Sequence, residues 1–122
     1  MIKKTTWRPL PDFLTIKDSK IEGLGVFATR DLPKGFDLGI SHIFDERFPD
    51  GYIRLPLGGF INHHEIPNCK AIVAKEDKEM GKLRHIRIEA FESIAEGQEI
   101  TIKYIINKLD NPNWEFEYEI SQ

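Results

Sequence analysis

The chain has 122 residues, of which 40% are hydrophobic and 30% are charged, so it has room for one compact domain but not for two. Its formal net charge of −3 argues against a general attraction to nucleic acid or to anionic membranes, since both favour basic surfaces. No apolar run approaches the roughly 20 residues that span a bilayer, and the N-terminal segment lacks the apolar core of a secretory signal. We therefore predict a soluble single domain over residues 1–122.

The chain contains one cysteine, Cys69, so it cannot form an internal disulfide. A chain without disulfides is typical of reducing compartments. We therefore predict an intracellular, cytoplasmic protein, or a nuclear one if it comes from a eukaryote or a virus of eukaryotes.

Frequent Gly and Pro residues divide the chain into short segments rich in Val, Ile, Phe and Thr, a pattern that favours strands over helices. We predict a mostly β fold with strands at 13–17, 25–29, 69–75, 83–91 and 100–104. The strands at 69–75 and 83–91 flank a charged loop and are predicted to form a hairpin whose loop charges serve only solvation. Residues 36–44 alternate too loosely for an assignment, and 111–120 can form at most one or two helical turns.

A polar pair follows an apolar run in the middle of the chain, where Asn62 and His63 come directly after residues 57–61. We interpret 57–61 as a buried run, which is an unusual place to end in hydrogen-bonding side chains. A side-chain amide offers donors and an acceptor, which suits a zwitterionic ligand, and the histidine adds a second polar edge. The alternative is that Asn62 and His63 satisfy buried backbone groups while His64 lies on the surface.

Two further segments, whose residues suit ligand binding or catalysis, flank this pair. Gly23 and Gly25, separated by Leu24, remove two side chains from one side of a turn, so that a ligand or another backbone can approach the peptide groups. The alternative is a tight turn between two strands. Tyr104 ends the last predicted strand, and a buried tyrosine hydroxyl can donate to and accept from an amine. The alternative for Tyr104 is an aromatic residue with its hydroxyl in water.

In this order the three segments resemble the SET domain, a family of S-adenosylmethionine-dependent protein lysine methyltransferases. Asn-His-His-x-x-Pro-Asn at 62–68 is similar to the family pattern Asn-His-Ser-x-x-Pro-Asn, and Gly-Gln-Glu-Ile-Thr-Ile-Lys-Tyr at 97–104 is similar to Gly-Glu-Glu-Leu-Thr-x-Asp-Tyr. The resemblance covers residues 14–104. It implies the β-clip fold of the family, with short strands in small sheets, few short helices and a knot-like C-terminal segment.

The resemblance also implies a function and a role for each segment. The implied reaction is methyl transfer from S-adenosylmethionine to a protein lysine side chain, with Tyr104 as the catalytic residue. The implied cofactor-binding residues are Gly23, Leu24, Gly25, Asn62 and His63, and Trp114 and Phe116 are added as candidates because aromatic rings stack on bases. For Trp114 and Phe116 a hydrophobic plug on the core is an equal alternative to covering the adenine ring. Tyr52 is a second candidate for the lysine channel, with a core or surface aromatic as the alternative.

Several features depart from the family pattern. His64 replaces a serine, which is expected to alter hydrogen bonding near the cofactor, and Lys103 replaces a frequent acidic residue, which is expected to disfavour a second ammonium group. The insert at 39–56 is short. The zinc-binding cysteines that close the site in many eukaryotic members are absent, so the aromatic tail at 105–122 is expected to close it. The chain is thus nearer to the minimal SET domains of viruses and bacteria.

The main alternative to an enzyme is a degenerate SET-like module that binds a protein or peptide without methyl transfer. A metal site is a third alternative, since His63, His64, Glu65 and Cys69 are close in the sequence and His42 and His85 could approach them, but their spacing matches no usual zinc framework. The expected partner is a lysine-containing protein or peptide, either histone-like or another host protein. Nucleic acid and membranes are not expected as partners, and a homodimer is left open.

Overall fold

The computed structural model describes residues 10–49 and 51–103. Within them the chain forms β1 Leu14–Asp18, β2 Leu24–Ala28, β3 Asp37–Phe44, β4 Tyr52–Arg54, α1 Pro56–Phe60, β5 Asn62–His63, β6 Cys69–Ala74, β7 His85–Ala90 and β8 Glu99–Ile102. The predicted fold of short strands with little helix is confirmed. The predictions for Tyr104, Trp114, Phe116 and the segment 111–120 lie outside the described residues.

The strands form two four-stranded sheets, with the orders β1-β2-β8-β5 and β4-β3-β7-β6. In the first sheet β8 lies between β2 and β5, antiparallel to β2 and parallel to β5. This order places the glycine segment, the Asn62-His63 pair and the last described strand side by side. These are the three segments that carry the family resemblance.

Most predicted strands are present, and their ends differ from the predictions by one or two residues. β6 and β7 pair antiparallel with Cys69 opposite Ala90 and Ala74 opposite His85, so the predicted hairpin is confirmed. The segment that could not be assigned is the long strand β3. Its register against β7 shifts between Asp37 and Gly39 and again before His42. Each such irregularity breaks the two-residue period of a strand, which explains the loose alternation in the sequence.

The loop between β6 and β7 does more than solvate the hairpin, so that prediction is wrong. Asp77 Oδ2 lies 3.0 Å from Nε2 of the buried His85 and accepts a 3.0 Å hydrogen bond from Arg87 Nε. Arg87 also pairs with Glu79 of the same loop. The backbone N–H of Met80, followed by Arg87, holds the pKa of the Asp77 carboxyl below its usual range. The loop charges therefore fold back onto β7 and fix the end of the hairpin.

The apolar run before Asn62 is a short helix and is only partly buried, which corrects the interpretation of 57–61 as a buried run. Proline at the start of α1 suits a first helical turn, where its missing N–H is not needed. Leu57 and Ile61 are buried, whereas Phe60 is 38% exposed. The helix lies so close to β3 that a Cβ on Gly58 would be 2.4 Å from the carbonyl oxygen of Ser41.

We expect Gly58→Ala to destabilise the fold by about 1–3 kcal/mol, because the new methyl group meets backbone that cannot move alone. Gly59→Ala is the matched control in the same helix, since the nearest group to its added Cβ is Arg54 at 3.7 Å. That change is expected to be neutral or to stabilise by about 0.5–1 kcal/mol through helix propensity. Urea denaturation of both variants checks the contrast, and equal losses in the two would contradict this packing.

The hydrophobic core is built from side chains of both sheets, including Leu14, Val26, Leu38, Ile88 and Ile100. Cys69 belongs to this core, and burial, followed by the charge of Glu92, raises the pKa of its thiol to about 12. Among the helices of the described residues, none has the length and apolar character needed to cross a membrane.

Candidate functional site

A polar cluster joins β2, β5 and β8, and we call it the junction: Ser19, Asn62 and Glu99 with the backbone of Glu22 and Leu24. Asn62 is 8% exposed, and its side chain directs Nδ2 toward three acceptors. They are the carbonyl oxygens of Glu22 at 3.1 Å and Leu24 at 3.2 Å and the Oε2 atom of Glu99 at 2.9 Å. Three acceptors around one nitrogen fix the orientation of the amide.

Ser19 holds the loop before β2 onto the same carboxylate. Its hydroxyl donates to Glu99, with oxygen distances of 2.8 and 2.9 Å to the two carboxylate atoms. The same hydroxyl oxygen accepts the backbone N–H of Ile21 at 2.9 Å. Glu99 therefore anchors two segments that are far apart in the sequence, the loop at 19–23 and the strand β5.

The two glycines of the first segment are needed for different reasons. A Cβ on Gly25 would lie 2.2 Å from Glu99 Oε2 and 3.1 Å from Asn62 Nδ2, so the junction itself occupies the space beside Gly25. Gly23 has φ +47°, a conformation that favours glycine, and nothing lies within 4 Å of the position of its Cβ. Leu24 between them is 47% exposed. Close approach thus occurs at Gly25, from a carboxylate, and the open side lies at Gly23.

Asn68 completes the positioning of β8. Its buried side chain accepts the Thr101 backbone N–H at 2.9 Å and donates to the Glu99 carbonyl oxygen at 2.8 Å. In this way one amide replaces the hydrogen bonds of a neighbouring strand. The second asparagine of the 62–68 pattern therefore holds the strand that carries Glu99.

The histidines after Asn62 take part in local contacts. His63 Nε2 lies 3.0 Å from Glu65 Oε1, and Lys103 Nζ lies 3.6 Å from the other oxygen of the same carboxylate. The hydrogen bond with His63, followed by the charge of Lys103, holds the pKa of Glu65 below its usual range. His64 Nδ1 accepts the Ile66 backbone N–H at 3.0 Å, the kind of turn bond that a serine hydroxyl also makes. The Glu65 carboxylate partly compensates the charge of Lys103.

Tyr52 lies in the other sheet, on β4, and its ring packs edge-on against His42 with the ring centroids 5.0 Å apart. His42 is 1% exposed, and its Nδ1 lies 2.8 Å from the Ser41 hydroxyl oxygen. Burial, followed by the charge of Arg54, lowers the pKa of His42 to about 4. The imidazole is therefore neutral at pH 7.

This lowered pKa predicts that stability falls as the pH falls from about 6.5 to about 4. In that range the unfolded chain binds a proton at His42 that the folded chain does not. The free energy of unfolding therefore falls by about 3 kcal/mol across the range. His42→Asn keeps a donor for Ser41 and is expected to flatten this part of the profile. Urea denaturation between pH 4.5 and 7.5 measures it. The pKa of Asp45, lowered to about 2 mainly by hydrogen bonding to Arg47, acts only below this range.

The structure brings four of the predicted side chains or backbone segments together: Leu24, Gly25 and Asn62 at the junction, and His63 beside it in β5. It does not bring Tyr52 to the junction. Within the described residues there is no group of three His, Cys, Asp or Glu side chains that could hold a metal ion.

Sequence reasoning gave no role to three residues of these sites, Ser19, Asn68 and Glu99, and considered His42 only as a ligand of a metal site. Asn68 and Glu99 stand inside the two quoted family patterns, so the patterns themselves were a usable signal. Ser19 stands between the predicted strands at 13–17 and 25–29, outside both quoted patterns. The environment of His42 gave no signal in the sequence, because the groups that pack against its ring, Tyr52 and Gly58, come from β4 and α1.

Comparison with known proteins identifies one family. A model of the SET domain matches residues 36–105, which is more than half of the chain. No curated protein sequence matches significantly.

Solved structures with the same fold include a candidate histone methyltransferase of Plasmodium falciparum, with 24% identity over 78% of this chain and 95% of that protein and a TM-score of 0.62. An inhibitor-bound humanized mutant of the Polycomb Repressive Complex 2 of Chaetomium thermophilum aligns with 21% identity and a TM-score of 0.59. An apo form of that complex with two substitutions aligns with 18% identity and a TM-score of 0.57. These two alignments include 77% and 80% of this chain but only 15% and 16% of the aligned chains of the complex.

Proposed function

Because the chain belongs to the SET domain family, we propose that it is a methyltransferase that moves a methyl group from S-adenosylmethionine to a lysine side chain of a protein. The observation that carries the proposal is the junction, where the Asn62 amide binds the Glu22 and Leu24 carbonyls and the Glu99 carboxylate. Three segments from distant parts of the chain meet there through polar groups, next to the exposed Leu24. A core built only for stability has little use for such an arrangement.

The residues of the junction fit the charge of this cofactor. S-adenosylmethionine carries a sulfonium and an ammonium group, and it supplies an activated methyl group when bound. The Glu99 carboxylate would supply negative charge to such a cofactor, and the open side of Gly23 leaves backbone groups accessible. The two N–H bonds of the Asn62 amide are directed at protein acceptors, so its Oδ1 and the backbone of β5 are the groups left for a ligand. Asn62 thus shapes the pocket as well as lining it.

His63 would hold the cofactor from β5, and its bond to Glu65 sets the orientation of its ring. The parallel pairing of β5 with β8 sets His63 opposite Ile102, two residues before Tyr104. Tyr104 itself, the proposed catalytic residue, lies outside the described residues, as do Trp114 and Phe116. The role of Tyr104 rests on the family pattern, and the roles of Trp114 and Phe116 rest on the stacking of aromatic rings on bases.

The enzyme has to supply a neutral amine to the methyl group. A lysine with an unperturbed pKa near 10.4 loses its proton at pH 7 at a cost of about 4.6 kcal/mol. Removal from water and nearby positive charge both lower that cost. Arg54, whose charge already acts on His42, lies on the side of the molecule where Tyr52 marks the proposed lysine channel. Alignment of the nitrogen with the methyl carbon supplies the remaining acceleration.

Titration calorimetry with S-adenosylmethionine and with its demethylated product tests the proposal. Binding of both, followed by transfer of label from the cofactor to a lysine in core histones or in a cell lysate, is the expected result. Mass spectrometry then locates the modified lysine. Histones are chosen because the structural neighbour from Plasmodium falciparum is assigned to histone methylation. Failure to bind either ligand would overturn the proposal and favour a binding module without methyl transfer.

A further inference from the structure

His42 contains a buried atom whose hydrogen-bonding capacity is unused. In the part of the chain that the structure describes, its Nε2 is the one buried side-chain nitrogen or oxygen without a hydrogen-bond partner. Buried polar groups are almost always paired, and an exception calls for a physical explanation. A ligand that is present only during function is one such explanation.

The hydrogen bonds around Ser41 identify what kind of partner Nε2 lacks. The Ser41 hydroxyl donates its single proton to the carbonyl oxygen of Ile86 at 3.3 Å. Its oxygen is then an acceptor for His42 Nδ1, 2.8 Å away, so the ring proton resides on Nδ1. In a neutral imidazole with this tautomer, Nε2 carries a lone pair. The missing partner is therefore a donor.

The surroundings of His42 favour a slender ligand that arrives past Tyr52. The Tyr52 ring is half-buried and contacts the imidazole edge-on, and its hydroxyl accepts an exposed hydrogen bond from Arg54. On another side, Gly58 of α1 leaves room for the ring, since a Cβ there would lie 2.9 Å from His42 Cε1. Nε2 is closed to solvent, so an incoming group has to displace a neighbour. Among the described residues, the hydroxyl of Tyr52 has one hydrogen bond, the exposed bond from Arg54, so the side chain can swing outward.

The helix α1 links His42 to the junction. Gly58 packs beside His42, and Asn62 lies four residues after Gly58. Even a fully extended chain would separate the Cα atoms of Gly58 and Asn62 by at most roughly 14 Å. His42 and the proposed cofactor pocket are therefore connected through this one short helix.

We propose, on the premise of the proposed function, that His42 is a specificity-determining residue whose Nε2 accepts a hydrogen bond from an N–H of the substrate lysine amine. In the neutral amine this contact uses one N–H and leaves the nitrogen lone pair for the methyl group. His42 orients the amine and takes no proton from it. An amine without an N–H has no bond to offer at this position.

The first test uses the wild-type protein with ¹⁵N-labelled histidine and needs no methyl transfer. n-Butylammonium chloride is the probe, and n-butyltrimethylammonium, with the same chain and charge but no N–H, is its control. We expect the ¹⁵N signal of His42 Nε2 to shift with n-butylammonium alone. Equal shifts with both probes, or no shift with either, overturn the proposal.

The second test compares two His42 variants in the transfer assay with a lysine peptide. His42→Asn retains a donor for Ser41 but has no atom at the Nε2 position, whereas His42→Gln places an acceptor there. We expect kcat/KM to fall about tenfold in His42→Asn and to be largely restored in His42→Gln, with unchanged calorimetric affinity for the cofactor. Equal kcat/KM values in wild type and both variants overturn the role of His42 while leaving the proposed function intact. If the cofactor does not bind to wild type, the proposed function fails, and the alkylammonium titration still decides whether His42 accepts an N–H.

Discussion

Tyr104→Phe is expected to lower kcat for methyl transfer about 10²–10⁴-fold while the calorimetric affinity for S-adenosylmethionine stays unchanged. The hydroxyl is lost but the ring is kept, so the change removes the hydrogen-bonding group that orients the amine. Tyr104 follows Lys103 at the end of the segment that β8 begins, and β8 is held between β2 and β5. In the sequence, Tyr104 stands two residues after the last residue of β8.

Tyr118→Phe is the matched control, because Tyr118 belongs to the aromatic tail that is expected to close the site, a role that needs its ring but not its hydroxyl. Its kcat is expected to equal that of the wild type. Transfer of labelled methyl groups to a lysine peptide under single-turnover conditions measures the chemical step without product release. A Tyr104→Phe enzyme as fast as the control would remove Tyr104 from the mechanism. Loss of cofactor affinity in the same variant would indicate a positioning role in the pocket.

The meeting of the three motif segments was predictable from the sequence only through the family patterns. Alternation of apolar residues identifies β2 and β8 as strands, but it says nothing about which strands are neighbours. β5 is two residues long and pairs parallel to β8, so no local pattern could reveal it. The order of the motifs along the chain supplied that information.

Two local errors have the same physical origin, which is tertiary packing. The run at 57–61 is apolar enough for a buried strand, yet α1 forms there because Pro56 suits a first helical turn and Gly58 permits close contact with β3. The charges of the 75–82 loop resemble an exposed turn. They fold inward because β7 places His85 and Arg87 where Asp77 can bind both. Neither partner could be identified from the loop itself.

The residues that organise the junction show a similar limit. Glu99 lies in a motif, but only the structure shows that its carboxylate receives both Ser19 and Asn62. Gly25 was expected to admit a ligand or another backbone, whereas the group beside it is this carboxylate. The sequence could thus locate the site within a few residues. The division of work among those residues depends on distances that no spacing rule contains.

Asn62 donates a hydrogen bond to the Glu99 carboxylate, and replacing this donor by an acceptor is expected to have a large effect. Asn62→Asp directs a carboxylate at the Glu99 carboxylate and at two backbone carbonyl oxygens, where the wild type has an amide donor. We expect it to destabilise the fold by about 3–5 kcal/mol, because a buried charge then lacks a partner. Its affinity for S-adenosylmethionine is expected to be lost in calorimetry.

Adding Glu99→Gln restores a donor on the opposite side of the pair and is expected to recover about 1–3 kcal/mol of that loss. The recovery is partial, since the carbonyl oxygens of Glu22 and Leu24 still face a carboxylate. Asn68→Asp provides the matched control: this buried amide also binds β8, but its contacts are the Glu99 backbone and Thr101. Glu99→Gln should therefore give Asn68→Asp no comparable recovery. Urea denaturation of the complete double-mutant cycle measures both coupling energies, and a coupling for Asn62 no larger than that for Asn68 would show that the Asn62–Glu99 bond does not hold the junction together.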